Sequence, residues 1–573
     1  MSGFAQRVWL VARRAGGSVR GMLSEDVLLL ALAGLLVAFL LLHEDRGDLL
    51  RGHVTLLALP PLAMAQKARR RRRIAARLFK RGGSQEAGVN LDYLYMVTHM
   101  FAVATGRPGV ERLFQLGGVT GRGYGYYTEV LTRIASLARK WGYGFATAVK
   151  LEARKVKDLV FRDFLTRLSE AIKMGEALDT FLETEHHAAL VSYEANYDRN
   201  LETVKVLMAI YTAAMSSTLF VNVNMVLISV LFFGNPQMVV TSFLATMAVL
   251  FAVAYLVYRT LPRDKLLHNL PVNMPERRRF FYILIVSVLV GGTAGAFASL
   301  MLGDPTYTLI ALAVAVLPAG IYGKRVEDKV KDIESFFTVF IRALGFAYQN
   351  TRNFSVALRS VLKSEFGPLE RQLRRLYARL VNGIDKRLAW YYFAGETGSE
   401  SVRRVVDVFF DAVDAGGEGG RIGVTLSNML SKLIELRKRR EQLARTFAGT
   451  TYILHILVVA IAEFMVSLVL VLQDVFYQLS GSLPTIGLMI SPLDPNLLVA
   501  LKIGLVFVLT LSNAFVTKAS SGGYVGAAWL SFSVLLLVSG STMLVMSRLA
   551  DRLLAMLNVE ELLSLTNSTI PAG

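Results

Sequence analysis

Residues 161–172 read FRDFLTRLSEAI and residues 402–413 read VRRVVDVFFDAV. Phe161, Phe164, Leu165, Leu168 and Ile172 recur at the spacing of one buried helix face. Val402, Val405, Val406, Phe409 and Val413 reproduce them at a constant shift of 241 residues. The same shift carries Gly142 onto Gly383, Gly175 onto Gly416, and Leu207, where an apolar run begins, onto the start of another such run. Farther upstream, Arg107-Pro108 to Leu113 matches Arg352-Asn353 to Leu358 at a shift of 245, which implies a small gap. One shift that holds from a polar helix into an apolar run marks an internal duplication, whose unit is a helical domain followed by a membrane hairpin. Neither polar stretch shows a convincing strand.

The apolar runs set the rest of the architecture. A segment of about 17–25 apolar residues is long enough to cross a bilayer. Candidates are Val27 to Leu42, a weaker run from Leu49 to Ala65 broken by Pro60 and Pro61, Leu207 to Phe233, Met238 to Tyr258, Phe280 to Leu302, Tyr307 to Tyr322, Thr450 to Leu472, Leu497 to Ala514 and Ala527 to Met546. The turns Gly234-Asn235-Pro236 and Gly303-Asp304-Pro305 make hairpins of the four central runs. The expectation is an all-α, polytopic membrane protein with about nine transmembrane helices and two cytoplasmic helical-bundle domains. Its parts are an N-terminal transmembrane pair (1–66), a first helical domain (67–206), four transmembrane helices (207–323), a second helical domain (324–446), three transmembrane helices (447–546) and an extracytoplasmic tail (547–573).

Composition agrees with this division. Of 573 residues 53% are hydrophobic, yet 19% are charged, so substantial water-facing regions must accompany the spans. The 63 Lys and Arg exceed the 44 Asp and Glu, giving a net charge of +19. In a membrane protein such an excess is first a topology signal. Arg69 to Arg73, Arg277 to Arg279, Lys324, Arg325 and Arg437 to Arg440 all fall on one side, with Arg13, Arg14 and Arg20, which predicts a cytoplasmic N-terminus. An odd number of spans then sends the C-terminus outside, where the sequon Asn567-Ser568-Thr569 would be open to glycosylation. No cleavable secretory signal is expected, because the first apolar run starts late and no small-residue cleavage site follows it. Arg548 to Leu565 reads as an amphipathic stretch suited to the outer surface.

The sequence offers little catalytic chemistry. There is no cysteine, which excludes disulfides, thiolate metal sites and cysteine nucleophiles. There is no GxxxxGK[ST] phosphate loop, and the glycines at 416–423 lack both the lysine and the preceding strand, so they read as a helix-to-helix turn. His186-His187 lack the HExxH spacing that puts two imidazoles on one helix face, and no Gly-x-Ser-x-Gly elbow occurs. No metal and no cofactor is expected, and energy for any work would come from a partner.

Two features remain. Glu463 lies past the middle of the seventh candidate span and Lys502 six residues into the eighth, at depths about one helical turn apart. An isolated charge at mid-helix costs roughly 2.5–3.5 kcal/mol on insertion scales, so the two read either as a structural ion pair or as part of a proton or ion pathway. The shift of 241 places Asn222, which cannot titrate, at the position of Glu463. The second feature is the set of juxtamembrane cation clusters, Arg69 to Arg73 with Arg77, Lys80 and Arg81, and Arg437 to Arg440. These read as anchors for anionic membrane lipids or as docking points for an acidic protein face. Nucleic-acid binding is not expected, since the charge is not interleaved with exposed aromatics.

The segment LSEAIKMGEAL at 168–178 and its counterpart FFDAVDAGGE at 409–418, each followed by a long polar helix and a membrane hairpin, resemble the type II secretion system F domains of platform proteins from type IV pilus-like machines. Two such domains, an extra hairpin pair between them and about nine spans resemble the archaeal branch, the core membrane subunit of archaella and archaeal adhesion pili. The resemblance covers roughly residues 90–546. It implies a non-enzymatic scaffold, dimeric, that docks a hexameric secretion ATPase and passes its movements to pilin or archaellin subunits entering a filament. Arg154, Lys155 and Lys157 with Arg437, Lys438, Arg439 and Arg440 are the expected docking cations. A secondary transporter is the main alternative, because internal repeats and intramembrane charge also occur there. A signalling receptor with helical domains is a third.

Overall fold

A computed structural model describes residues 89–231, 236–261, 265–272, 275–482 and 495–556. The first two candidate spans, the Arg69 to Arg73 cluster with Arg77, Lys80 and Arg81, and the part of the tail beyond Met556, with its sequon, lie outside the described residues. The helices, in chain order, are α1 (Leu91–Ala104), α2 (Tyr126–Lys140), α3 (Phe145–Ala153), α4 (Leu159–Met174), α5 (Leu178–Leu231), α6 (Pro236–Thr260), α7 (Pro275–Leu302), α8 (Thr306–Thr351), α9 (Phe354–Val361), α10 (Glu370–Val381), α11 (Lys386–Thr397), α12 (Glu400–Asp414), α13 (Gly419–Ser482), α14 (Pro495–Ser521) and α15 (Ala528–Met556). No strand longer than a single β-bridge occurs among the described residues. Seven helices among the described residues are long and apolar enough to cross a membrane, and they coincide with the described parts of the seven candidate spans from Leu207 onward. The chain is an all-α, multi-pass membrane protein.

The duplication is visible in the backbone. α4 ends at Gly175 in the left-handed conformation (φ 70°), where Glu176 N–H donates to Ala171 O at 3.0 Å. In the second half Gly416 has φ 85°, and Gly417 N–H donates to Ala412 O at 2.9 Å. This is one Schellman-type stop used twice, and it needs a residue without a Cβ penalty at positive φ. The starts match as well: Asp158 accepts from the N–H groups of Val160 and Phe161 to cap α4, and Ser399 accepts from Val402 N–H to cap α12.

The expected boundaries at 206/207, 323/324 and 446/447 all fall inside uninterrupted helices. α5 runs 54 residues, α8 46 and α13 64, each continuous from the polar region into its span. On the polar side α5 and α8 each extend 29 residues beyond the apolar segment and α13 extends 31, or about 43–46 Å. Domain and span are therefore joined by rigid rods with no linker between them.

The two polar halves also share a single core. Phe161, Phe164 and Leu168 of the first half and Val402, Val405 and Phe409 of the second belong to one contiguous cluster of buried side chains, which includes Leu94, Val97 and Phe101 of α1. They form one helical body. α1 sits against both α5 and α13: the Phe101 ring stacks on His186 of α5 and lies under the Arg421 guanidinium of α13 at 5.4 Å.

Candidate functional site

The cations expected to form a docking face are divided by the fold. Arg154, Lys155 and Lys157 are exposed on the α3–α4 connection, where Lys155 Nζ and Arg133 Nε hold Glu152 at 2.8 and 2.9 Å. On α13 the helical turn separates the other four. Leu433, Leu436, Arg440 and Ala444 form the buried stripe of the helix, so Arg440 is 1% exposed and donates to the carbonyls of Ser520 and Ala519 at 2.8 Å each. It closes the C-terminal end of α14, where helix carbonyls lack partners. Arg437 also turns inward, donating to Glu334 Oε2 at 2.8 Å and Ser401 Oγ at 3.1 Å. Neither residue offers its charge to a partner, and both leave the expected docking set. Lys438 and Arg439 remain at the surface, with Arg439 bonded to Glu435 at 2.5 Å and within 3.8 Å of Glu194 and Asp198 on α5.

A stronger basic surface lies on α10, where Arg371, Arg374 and Arg375 are exposed and Arg379 half-buried. Arg374 pairs with Glu370 and Arg379 with Glu396, both at 2.5 Å, while Arg379 also covers the Tyr392 ring at 5.2 Å. The signal was present in the sequence as arginines at i, i+3, i+4 and i+8, which share one helix face.

The halves are joined by a buried ionic seam that the apolar periodicity concealed. Asp411 accepts from Arg112 Nη2 at 2.6 Å and lies 2.9 Å from His99 Nε2. One turn earlier Asp407 accepts from Val119 N–H, Thr120 N–H and Thr120 Oγ1 at 2.8, 2.8 and 2.6 Å, and from Arg403 at 2.8 Å. Burial pushes the Asp411 carboxyl up, but His99 and the Arg112 guanidinium outweigh it and hold the group at about 2. Glu400 behaves alike: burial opposes ionisation, Arg403 and Arg404 overcome it, and the carboxyl stays at about 2.

Inside the spans Lys502 Nζ lies 2.9 Å from Glu463 Oε1 and 2.8 Å from Oε2, and both residues are buried. At the repeat-equivalent position Asn222 donates to Thr246 Oγ1 at 2.6 Å and accepts from Ser242 Oγ at 2.8 Å. Each hairpin is thus tied across its two helices at the repeat-equivalent position, once by charge and once by an amide. Nearer the helical body Tyr211 OH donates to Asn513 Oδ1 at 2.6 Å, Asn513 meets His455 Nδ1 at 3.0 Å, and His455 Nε2 meets Ser539 Oγ at 2.7 Å.

Two curated proteins, each named flagella accessory protein J, are similar to the chain. The one from Methanocaldococcus jannaschii is 28% identical over 328 residues, which is 55% of this chain and 58% of that protein. The one from Methanococcus voltae is 23% identical over 458 residues, covering 78% of this chain and 82% of that protein. The chain thus matches little more than half the length of the first relative and about four-fifths of the second. No family model matches the chain. No solved structure matches it either. The two relatives bear out the resemblance to archaeal filament-platform proteins that the duplicated helical segments carry.

Proposed function

We propose that this chain is the membrane platform of an archaeal type IV pilus-like filament machine, a non-enzymatic scaffold in archaellum or adhesive-pilus assembly. The helical body faces the cytoplasm and docks a hexameric secretion ATPase, and the platform passes the movements of the ATPase to pilin or archaellin subunits entering the filament from the membrane. It works as a homodimer.

One observation carries the reading: α5, α8 and α13 run unbroken from the shared helical core into the spans, so displacement of the body moves transmembrane helices directly. The names of the two relatives place them with flagella. Exposed Arg154, Lys155, Lys157, Lys438 and Arg439, joined by Arg371, Arg374 and Arg375 of α10, give the body cationic surfaces that suit an acidic partner. The transporter alternative has less to build on. Glu463 is engaged by Lys502, and the cavity beside it, lined by Asn222, Thr246 and ten other residues, mostly apolar, holds about 20 Å³, room for a single water.

The test is co-purification of the cognate ATPase with the full-length chain in detergent. Binding that is lost on charge reversal at Arg371, Arg374 and Arg375 together with Arg154, Lys155 and Lys157, with membrane insertion unchanged, supports the proposal. A wild-type chain that retains no ATPase refutes it.

A further inference from the structure

Residues 265–272, between α6 and α7, form an extended strap laid against the second half of the helical body. The one β-bridge among the described residues pairs Leu267 with Ser399 in antiparallel sense. His268 N–H donates to Gly398 O at 3.1 Å and Glu400 N–H donates to Leu266 O at 3.0 Å. Leu266, His268 and Leu270 are buried while Lys265, Asn269 and Pro271 are exposed, the period of two expected for a strand with one face covered.

The His268 ring makes this a lock. Nε2 lies 2.8 Å from Gly395 O, and Nδ1 accepts from Leu270 N–H at 3.1 Å. A carbonyl can only accept and an amide N–H can only donate, so the ring is neutral with its proton on Nε2. Val272 then packs where Gly395 has no side chain: a Cβ there would come within 2.6 Å of Val272 Cγ2. On its other edge the strap meets the first half and α7, because Asn269 O accepts from Arg122 at 2.5 Å and Asn269 Oδ1 from Arg277 at 3.3 Å. Its pairing partner Ser399 caps α12 and donates to Glu334 Oε1 at 2.5 Å, and Glu334 in turn holds Arg437 of α13.

α5 and α8 enter the body as continuous rods, whereas α6 and α7 stop at its edge. We infer that the 265–272 strap is a tie that binds α6 and α7 to the capped end of α12, so that the two central hairpins move with the helical body as one unit. The tie stays closed while the protein works. An ordinary surface loop would not bury three side chains and spend a histidine ring on two backbone groups.

The native chain has no cysteine, which permits a direct test in full-length protein. Leu267 and Ser399 face each other as a non-hydrogen-bonded antiparallel pair, the geometry in which facing Cβ atoms approach most closely. His268→Ala is expected to expose the Glu400 and His268 amides to hydrogen exchange at least tenfold faster and to reduce filament formation in cells severely. His268→Gln, whose amide can still donate to Gly395 O, retains most assembly. Adding Leu267→Cys and Ser399→Cys to the His268→Ala chain, with a thiol-specific cross-link, restores both protection and assembly, which separates lost coupling from lost folding. Unchanged exchange in His268→Ala overturns the tie outright. Assembly at wild-type level in His268→Ala, or a Leu267→Cys/Ser399→Cys chain that assembles when reduced and no longer assembles when cross-linked, overturns its role. The filament readout rests on the function proposed above, and a strain lacking the whole chain that still makes filaments refutes that function and leaves the exchange result standing.

Discussion

His99 Nε2 and Asp411 Oδ2 meet at 2.9 Å from positions 312 residues apart, and with Arg112 they join the two halves of the duplicated chain. Asp411 is 2% exposed, so its charge depends on these donors. Replacing it with alanine leaves Arg112 and His99 facing a low-dielectric gap, and breaking a buried pair on one side costs about 3–5 kcal/mol. Asp411→Ala is expected to lower the melting temperature in detergent and to speed proteolysis in the 115–125 loop, whereas Glu170→Ala, the exposed repeat equivalent, should change neither. The seam also fixes a pH response. Asp411 and Glu400 are held at about 2, below the ordinary carboxylate range, so their contribution is complete above about pH 4–4.5 and disappears as pH falls toward 2. Acid unfolding that begins only below pH 2 would contradict this.

Arg107 and Arg352 share an unusual backbone, φ 49° and 48°, at equivalent turns after α1 and α8. The left-handed region disfavours a residue with a Cβ by roughly 1–2 kcal/mol. Arg352→Gly should therefore stabilise the fold by up to about 1 kcal/mol, the remainder being lost to the added freedom of glycine in the unfolded chain. Arg107 is less clean, since it also lies 3.6 Å from Asp179. The check is the rate of thermal inactivation of the two variants, with Arg352→Gly the slower.

How far the sequence foretold this fold can be traced to particular residues. The caps at Asp158 and Ser399 and the stops at Gly175 and Gly416 obey local rules, so the shift of 241 reported real structure. The seven described spans were equally plain, because hydropathy over some twenty residues is a local sum. Arg440 was misread as surface because a run of four basic residues hides which ones face inward. The stripe Leu433, Leu436, Arg440, Ala444 held that information at helical spacing. Asp407 and Asp411 fall between the apolar positions of α12, where periodicity carries no sign of burial, and only the packing of the 117–120 backbone on them reveals an interface. The strap could not be read at all, since its pairing to Ser399 is a contact between distant segments with no periodic signal.

His268 supplies a second pH dependence of opposite origin. Burial lowers the pKa of this imidazole from its ordinary value near 6.5, only partly offset by the hydrogen bond to Gly395. The unfolded strap binds a proton more readily than the docked one, so the strap loses stability as pH falls below about 6.5 and the loss levels off below the pKa of the docked ring. Hydrogen exchange at the Glu400 amide, corrected for intrinsic rates, should quicken as pH falls from 7.5 to 5.5 in the wild type and stay flat in His268→Gln.

The absence of cysteine also makes sidedness measurable. With the helical body in the cytoplasm, a cysteine at Arg278 should react with a membrane-impermeant maleimide only after cells are opened, and one at Asp304 should react in intact cells. The positive-inside bias supports that orientation, since Arg277, Arg278, Arg279, Lys324 and Arg325 flank one end of the apolar segments Phe280 to Leu302 and Tyr307 to Tyr322 and no basic residue flanks the other. Labelling of Arg278→Cys in intact cells would invert the whole topology.

The Lys502–Glu463 pair can be dissected by asking what each member needs. Glu463→Gln leaves a buried ammonium opposite a neutral amide, and loss of one partner in such a pair costs about 3–5 kcal/mol. The variant should reach the membrane in reduced amount and unfold at lower temperature. Replacing both residues with methionine removes two desolvation penalties along with the attraction, and exchanges of this kind are often neutral or stabilising by about 1–4 kcal/mol. The double variant is therefore expected to recover wild-type stability. Its equivalent, Asn222 bonded to Thr246 and Ser242, already holds the other hairpin without any titratable group. Filament assembly decides between the two readings of the pair. A double-methionine chain that assembles filaments confines Lys502 and Glu463 to fastening α13 to α14, whereas a stable chain that fails to assemble would assign the charges a part in the working cycle.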